Sequence, residues 1–331
     1  MKRSILLALV LAVVAAAMAA EPCAHRGKLD ALYCDENRDL VADPPKDPAK
    51  LVSPDPLIFT YAPVEDPAVY EGAWSDFLKH LEKVTGKKTK YFGLQNYAAQ
   101  IEAMRSGRLH ISAFSTGSVV YAVNLAGGVP FAIMRDAKGP SGYHLIVITQ
   151  AKNDKIKTIA DLKGKRVAHV SQTSSSGHQA PIYFFSRMGV TPGKDYQIVF
   201  SGKHDASALG VVNGDYDAAA VADTVLERMV ARGVVKAGDY KVIYTSPVFP
   251  TAGFLYPHNL EPKLVEKIKD AFASFKFAGT SVGKEFKDRT GFLPLNYQKD
   301  WESIVGILEA NGVTFTKDSP EYKRLEKRGS E

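Results

Sequence analysis

The chain has 331 residues, 45% of them apolar, with 42 lysines and arginines against 36 aspartates and glutamates. That length allows two domains or one large one. The formal charge of +6 is dispersed, with no run of five or more basic residues, which argues against a nucleic-acid binder and suits weak attraction of anions.

Lys2 and Arg3 precede an apolar run from Ile5 to about Ala17, and Ala17-Met18-Ala19 offers small residues for cleavage. The run is too short for a membrane span, so residues 1–20 are expected to be a cleaved secretory signal peptide. Cys23 and Cys34 follow the cut. In an oxidising compartment they are expected to pair, with two free thiols as the alternative. Glu21 and Pro22 before Cys23 do not suit a lipid-anchor site.

Residues 21–55 are proline-rich and read as a structured tail. Asp35, Asn37, Asp39 and Asp43 fall at positions 1, 3, 5 and 9 of a calcium-loop spacing. Leu40 replaces the glycine expected at position 6, and no glutamate stands at position 12. A structural calcium and a solvated acidic turn both remain open here.

From residue 57 strands and helices alternate. Strands are expected at 57–61, 89–92 and 109–114, with an amphipathic helix over 70–85 ended by Gly86 and another over 96–106. Ser115-Thr116-Gly117-Ser118 then opens an apolar helix to about Ala126. Further strands are expected at 143–149, 166–170, 196–200, 216–221 and 240–245, with helices at 205–213, 260–278 and 301–311. This alternation predicts an α/β fold with mainly parallel sheets.

The unit at 166–188 carries the most chemistry. A short apolar strand runs into Ser174-Ser175-Ser176-Gly177 and then a helix. A helix start has unpaired N–H groups and the positive end of the helix dipole, so it suits an anion. Three hydroxyls add donors, Gly177 would let the backbone approach a ligand, and no Lys or Arg lies in the turn. The bland reading is an N-cap. The turn at 115–118 is built the same way.

These segments in this order resemble a family. "HISAFSTGS", "DLKGKRVAHVSQTSSSGHQAP", "GKHDASALGVVNGDYDAAAVADT" and "SPVFPTAGFLY" are similar to the phosphonate/phosphite/phosphate substrate-binding proteins of ABC importers, over roughly residues 56–300. The resemblance implies a two-lobed, type 2 periplasmic binding protein with a ligand cleft between lobes. Lobe 1 would span residues 56–143 plus 249–331, and lobe 2 residues 144–248. It implies Ser174, Ser175, Ser176 and His204 as oxyanion donors and Tyr97 as a hydroxyl contact, with Ser115 and Thr116 facing them from the other lobe. Phe114 stands where an aminophosphonate binder has a second tyrosine. Of that binder's two amine-gripping acids, the first falls near Asp223 or Thr224. The second falls near Thr251 or Ala252, where there is no acid. The implied ligand is therefore a small oxyanion with little or no cationic tail. Glu65 and Asp66 follow the first strand, where cleft loops begin.

The expected function is capture of phosphite, phosphate or an alkylphosphonate in the periplasm by lobe closure, and delivery to an ABC permease in the inner membrane. The alternative is an oxyanion-binding sensor subunit that signals to a histidine kinase. No cofactor is expected beyond the possible calcium. Gly-x-Ser-x-Gly and His-Glu-x-x-His are absent, and the eight histidines show no metal spacing, so catalysis is not expected.

Overall fold

The computed structural model describes residues 23–315; the expected signal peptide lies outside the described residues. Eleven strands form two sheets. They are β1 (Leu57–Thr60), β2 (Thr89–Tyr91), β3 (Ile111–Phe114), β4 (Gly128–Arg135), β5 (Gly142–Gln150), β6 (Arg166–His169), β7 (Gln197–Phe200), β8 (Ala218–Ala222), β9 (Tyr240–Pro250), β10 (Gly253–Pro257) and β11 (Gly291–Pro294). The first sheet has the order β11-β4-β10-β3-β1-β2 and the second β7-β6-β8-β5-β9. The chain enters the second sheet between β4 and β5 and leaves it between β9 and β10.

Both sheets are mixed, which corrects the expectation of mainly parallel ones. Only β1–β2, β1–β3, β6–β7 and β6–β8 pair in parallel. These pairs come from strand–helix–strand units, which return each strand in the same direction. The long strands that carry the chain between sheets meet their neighbours antiparallel. β5 and β9 pair from Gly142↔Pro250 to Gln150↔Tyr240, and β10 joins β3 and β4.

Local sequence explains the elements around the site. The helix Thr116–Ala126 is buried at every position, as its all-round apolar composition requires, and ends at Gly127 in a left-handed conformation (φ 61°). It contacts β3, β4 and β10 and also the helical turn at Ser175–Gln179 of the other sheet. Asn96 caps the helix Tyr97–Arg105 by accepting the Ala99 N–H. The expected helix over 70–85 is two pieces, Ala68–Glu71 and Ser75–Thr85. Trp74, Phe77, Phe254, Phe272 and Phe292 fill the space between it and the first sheet, with ring centroids 4.6–5.7 Å apart at their contacts. Aromatic burial of this kind is a main source of core stability.

The tail is docked on the first sheet's side. Cys23 and Cys34 form a disulfide. The Asp30 N–H donates to the Asn124 carbonyl at 2.7 Å, and Arg105 lies 3.6 Å from the Asp30 carboxylate.

The acidic turn does not fit a calcium site. Asp35 accepts the N–H groups of Asp39 and Leu40, Asn37 accepts that of Asp39, Asp39 that of Val41, and Asp43 that of Glu36. The side-chain oxygens thus cap a turn in which Arg38 and Leu40 both have positive φ. Among the described residues no group of three or more His, Cys, Asp or Glu is arranged to hold a metal.

Candidate ligand-binding site

The two serine turns meet face to face. Gly117 lies so close to the other turn that a Cβ there would stand 2.2 Å from the Thr173 carbonyl oxygen and 2.8 Å from the Ser175 nitrogen. The Ser118 hydroxyl donates to Thr173 Oγ1 at 3.3 Å. Other bonds close the rim: the His204 N–H donates to the Val64 carbonyl at 3.0 Å, and the Asp66 N–H to the Asp205 carboxylate at 3.1 Å.

Between the turns lies a cavity of about 70 Å³, lined by Ser115, Thr116, Ser174, Ser175 and His204 together with Tyr61, Tyr143, Thr224, Arg228, Thr251 and Arg289. No aspartate or glutamate lines it. A molecule of liquid water takes ~30 Å³, so the space suits one compact polyatomic group.

Capping explains some of the hydroxyls and not others. Ser174 Oγ accepts the Gly177 N–H, Thr116 Oγ1 donates to the Pro250 carbonyl at 2.8 Å, and Ser115 Oγ donates to Ser118 Oγ at 2.9 Å. By contrast, the hydroxyls of Ser175, Ser176, Thr251 and Tyr97 are buried and make no hydrogen bond of good geometry. Buried hydroxyls are rarely left in that state without a reason. Ser175 and Thr251 line the cavity; Ser176 and Tyr97 stand behind it. Tyr97 lies beside Ser115, and burial raises its pKa, so its phenol stays protonated. Burial raises the Tyr143 pKa too, although Ser176, Thr116 and Ser175 stand at its hydroxyl.

Gly177 has a different role from the one expected. A Cβ there would meet Val170 Cβ at 2.5 Å, so the missing side chain makes room for β6's continuation rather than for a ligand. The turn Ser175–Gln179 is π-helical and leads into the helix Ala180–Arg187. Beneath it His169 bonds both His178 (2.8 Å) and Tyr196 (2.7 Å), which holds the turn's underside through side chains.

His204 opens the helix His204–Asn213 and is buried. Its Nδ1 accepts the Ala222 N–H at 3.1 Å. The ring proton therefore sits on Nε2, which makes that nitrogen a donor. Burial, then the charge of Arg228, lowers the His204 pKa to about 3. The His204 ring is thus neutral and presents Nε2–H as its donor.

Asp223 and the Glu65–Asp66 edge are not in the lining. Thr224, the next residue, lines the cavity, while Asp223 accepts the Thr224 N–H and has its pKa raised by burial. Glu65 is 1% exposed and pairs with Arg228 and Arg232. Its partner Tyr70 donates to the same carboxylate.

Sequence reasoning missed Tyr143, Arg228 and Arg289, and noted Thr251 only as a position that lacks an acid. Thr251 lies in the two-residue link between β9 and β10, a position that hinted at the cleft. Arg228, on the helix Asp223–Ala231, carries no local signal: one arginine on an amphipathic helix reads as a surface cation. Glu65, Tyr70 and Glu285, all distant in sequence, explain its burial.

Two mixed α/β sheets with a cavity between them define the fold as that of type 2 periplasmic binding proteins. Among solved structures, PhnD1 of Prochlorococcus marinus in complex with methylphosphonate superposes with a TM-score of 0.70 at 21% identity, covering 78% of this chain and 99% of that one. A binding protein component of an ABC phosphonate transporter from Pseudomonas aeruginosa gives 0.67 at 23%, covering 84% and 99%. The sequence model for "ABC transporter, phosphonate, periplasmic substrate-binding protein" matches residues 59–301, and the chain belongs to this family. It is 30% identical over 230 residues to the phosphate-import protein PhnD of Mycolicibacterium smegmatis, 66% of this chain and 72% of that protein. It is 27% identical over 263 residues to the phosphonates-binding periplasmic protein of Escherichia coli, 77% of each. The chain is thus a transporter's substrate-binding protein and not an enzyme.

Proposed function

We propose that the chain works in the periplasm, captures a small tetrahedral phosphorus oxyanion (phosphite, phosphate or a short alkylphosphonate) by closure of its two lobes, and passes it to an ABC permease. The observation that carries this reading is the cavity wall: unpartnered hydroxyls, a neutral imidazole N–H and two guanidinium groups, with no carboxylate. Such a wall offers many donors and no anionic acceptor, so it favours the more fully ionised form of the ligand. An ammonium group inside would find no acidic partner, which counts against an aminoalkyl ligand. The size supports a compact head group.

Hydrogen bonds to a charged partner contribute about 1.5–3 kcal/mol each. Five or six of them, less the cost of closure and ordering, suffice for the roughly −8 kcal/mol of a micromolar complex. The relatives' names are consistent with a phosphorus ligand: one is a phosphate-import protein and one structure holds methylphosphonate.

Calorimetric titration with phosphate, phosphite, methylphosphonate, 2-aminoethylphosphonate and arsenate tests the reading. Tight binding of one of the first three, weakened when Ser175 and Ser176 become alanine, supports it. Preference for the aminophosphonate, or indifference to both serines, sinks it.

A further inference from the structure

A second, larger cavity of about 290 Å³ adjoins the first. The two share four wall residues: Thr224, Arg228, Phe286 and Arg289. The inner cavity, at about 70 Å³, has room for a head group and little more. A substituent on phosphorus longer than a methyl group meets this shared wall and has the larger space beyond it.

The wall carries unspent donors. Arg228 directs Nε and Nη2 at Glu65 and Nη2 also at Tyr70, while its Nη1 makes no hydrogen bond among the described residues. Arg289 reaches Asp136 and the Gly142 carbonyl only at 3.4 Å, the long end of the range, and its Nε makes no hydrogen bond among the described residues. Five cationic and three acidic side chains line the outer cavity. One of those acids, Glu285, is already tied to Arg232 at 2.8 Å. The other two, Glu227 and Asp288, line only the outer cavity, beyond the guanidinium pair.

We propose that this shared wall is a tail subsite, and that the protein accepts phosphonates whose short alkyl arm ends in a carboxylate. The proposal rests on the inner cavity being the oxyanion site. A planar carboxylate accepts parallel N–H donors from a guanidinium, an arrangement that is strong and directional. Thr224, Arg228, Phe286 and Arg289 wall the head-group cavity as well as the outer one, so a short arm on phosphorus meets them. An ammonium arm meets a shared wall that carries two guanidinium groups and no carboxylate, and is repelled by both. Phe286, stacked below Arg228 with 5.5 Å between its ring centroid and the guanidinium carbon, gives the arm's methylenes an apolar surface.

The test is calorimetry with methylphosphonate, 3-phosphonopropionate and 2-aminoethylphosphonate on the wild type, Arg289→Gln and Ser175→Ala. The wild type is expected to bind 3-phosphonopropionate at least about tenfold more tightly than 2-aminoethylphosphonate. Arg289→Gln is expected to lower affinity for 3-phosphonopropionate by about tenfold more than for methylphosphonate. Equal losses for those two ligands, or an aminophosphonate that binds as well as the carboxylate, overturn the tail subsite. Loss of the head-group site looks different: none of the three ligands binds, or Ser175→Ala changes nothing, and the proposal falls with it. If Arg289→Gln does not fold, the ratio of the two tailed ligands on the wild type decides.

Discussion

The Glu65 carboxylate, 1% exposed, lies 3.0 Å from Arg228 Nη2 and joins a loop after β1 of the first sheet to a helix after β8 of the second. Arg232 reaches the other oxygen of the same carboxylate, and Glu285 lies 2.8 Å from Arg232 and 3.6 Å from Arg228. Two arginines from one lobe are thus interleaved with two glutamates from the other. Because Arg228 also lines the cavity, the ion-pair network and the cavity wall share one side chain.

Removing Glu65 leaves two arginines to share Glu285, and breaking a buried pair from one side costs about 3–5 kcal/mol. Glu65→Ala is therefore expected to lower the closed form's stability by that order. Small-angle scattering should show a larger radius of gyration for the variant than for the wild type without ligand. Glu65→Leu combined with Arg228→Leu should recover much of the thermal stability. Equal melting temperatures for Glu65→Ala and the wild type would show that the network does not hold the lobes.

Gly117 tests closure from the opposite end. Its missing Cβ would lie 2.2 Å from a backbone oxygen of the facing turn, and a backbone atom cannot swing aside as a side chain does. Gly117→Val should keep each lobe folded but hold the turns apart. Ligand affinity is expected to fall by about a hundredfold or more, since contacts from both turns are lost together. A shift of only a few degrees in melting temperature should accompany it.

Ser175→Ala separates binding from stability. The hydroxyl makes no hydrogen bond of good geometry, although it stands at the Tyr143 hydroxyl, so its removal should leave the melting temperature little changed. Affinity for the oxyanion should drop by about ten- to a hundredfold, as for loss of one bond to a charged partner. Ser174→Ala should show the reverse balance. That side chain caps the Gly177 N–H, and losing a cap typically costs about 1 kcal/mol of stability.

The buried histidines set the acid limit. Burial, then its neighbour His178, holds His169 well below its usual pKa; burial, then Arg228, lowers His204 to about 3. Above the ordinary histidine value of ~6.5 both rings are neutral in the folded and unfolded chains, and stability does not depend on them. As pH falls below it, the unfolded chain takes up protons that the folded one refuses. Each ring then removes up to about 1.4 kcal/mol per pH unit until the folded value is reached. Urea denaturation from pH 7 down to pH 4 should show this decline. Replacing His169 with a non-titrating residue should flatten it.

Much of the site was legible because its chemistry is local. The turn at 174–176 and the start at 115–118 each sit between a strand and a helix, and such junctions converge at the ends of strands. His204 follows β7 for the same reason. What sequence could not separate was a serine that caps from a serine that waits for a ligand; Ser174 and Ser175 are neighbours of one type and differ only in which way the turn aims them. The arginines were hidden because a buried ion pair between residues 65 and 228 is a fact about packing. β4 and β11 escaped notice because their apolar runs carry no alternation, one face lying on helices and the other on neighbouring rings. The acidic turn shows why sequence left two readings open: spacing that matches a metal loop also matches a run of side chains capping their own backbone.

The hydrogen bond from the Ala222 N–H to His204 Nδ1 fixes more than a ring orientation. It assigns the ring a single tautomer before any ligand arrives, and that tautomer is the one that donates. Capture then requires no proton to enter or leave this side chain. The heat measured on binding should be the same in buffers of very different ionisation enthalpy, once the solution is alkaline enough for the free oxyanion to be fully ionised. Acidification of the surroundings would change the cargo's charge while leaving this donor as it is.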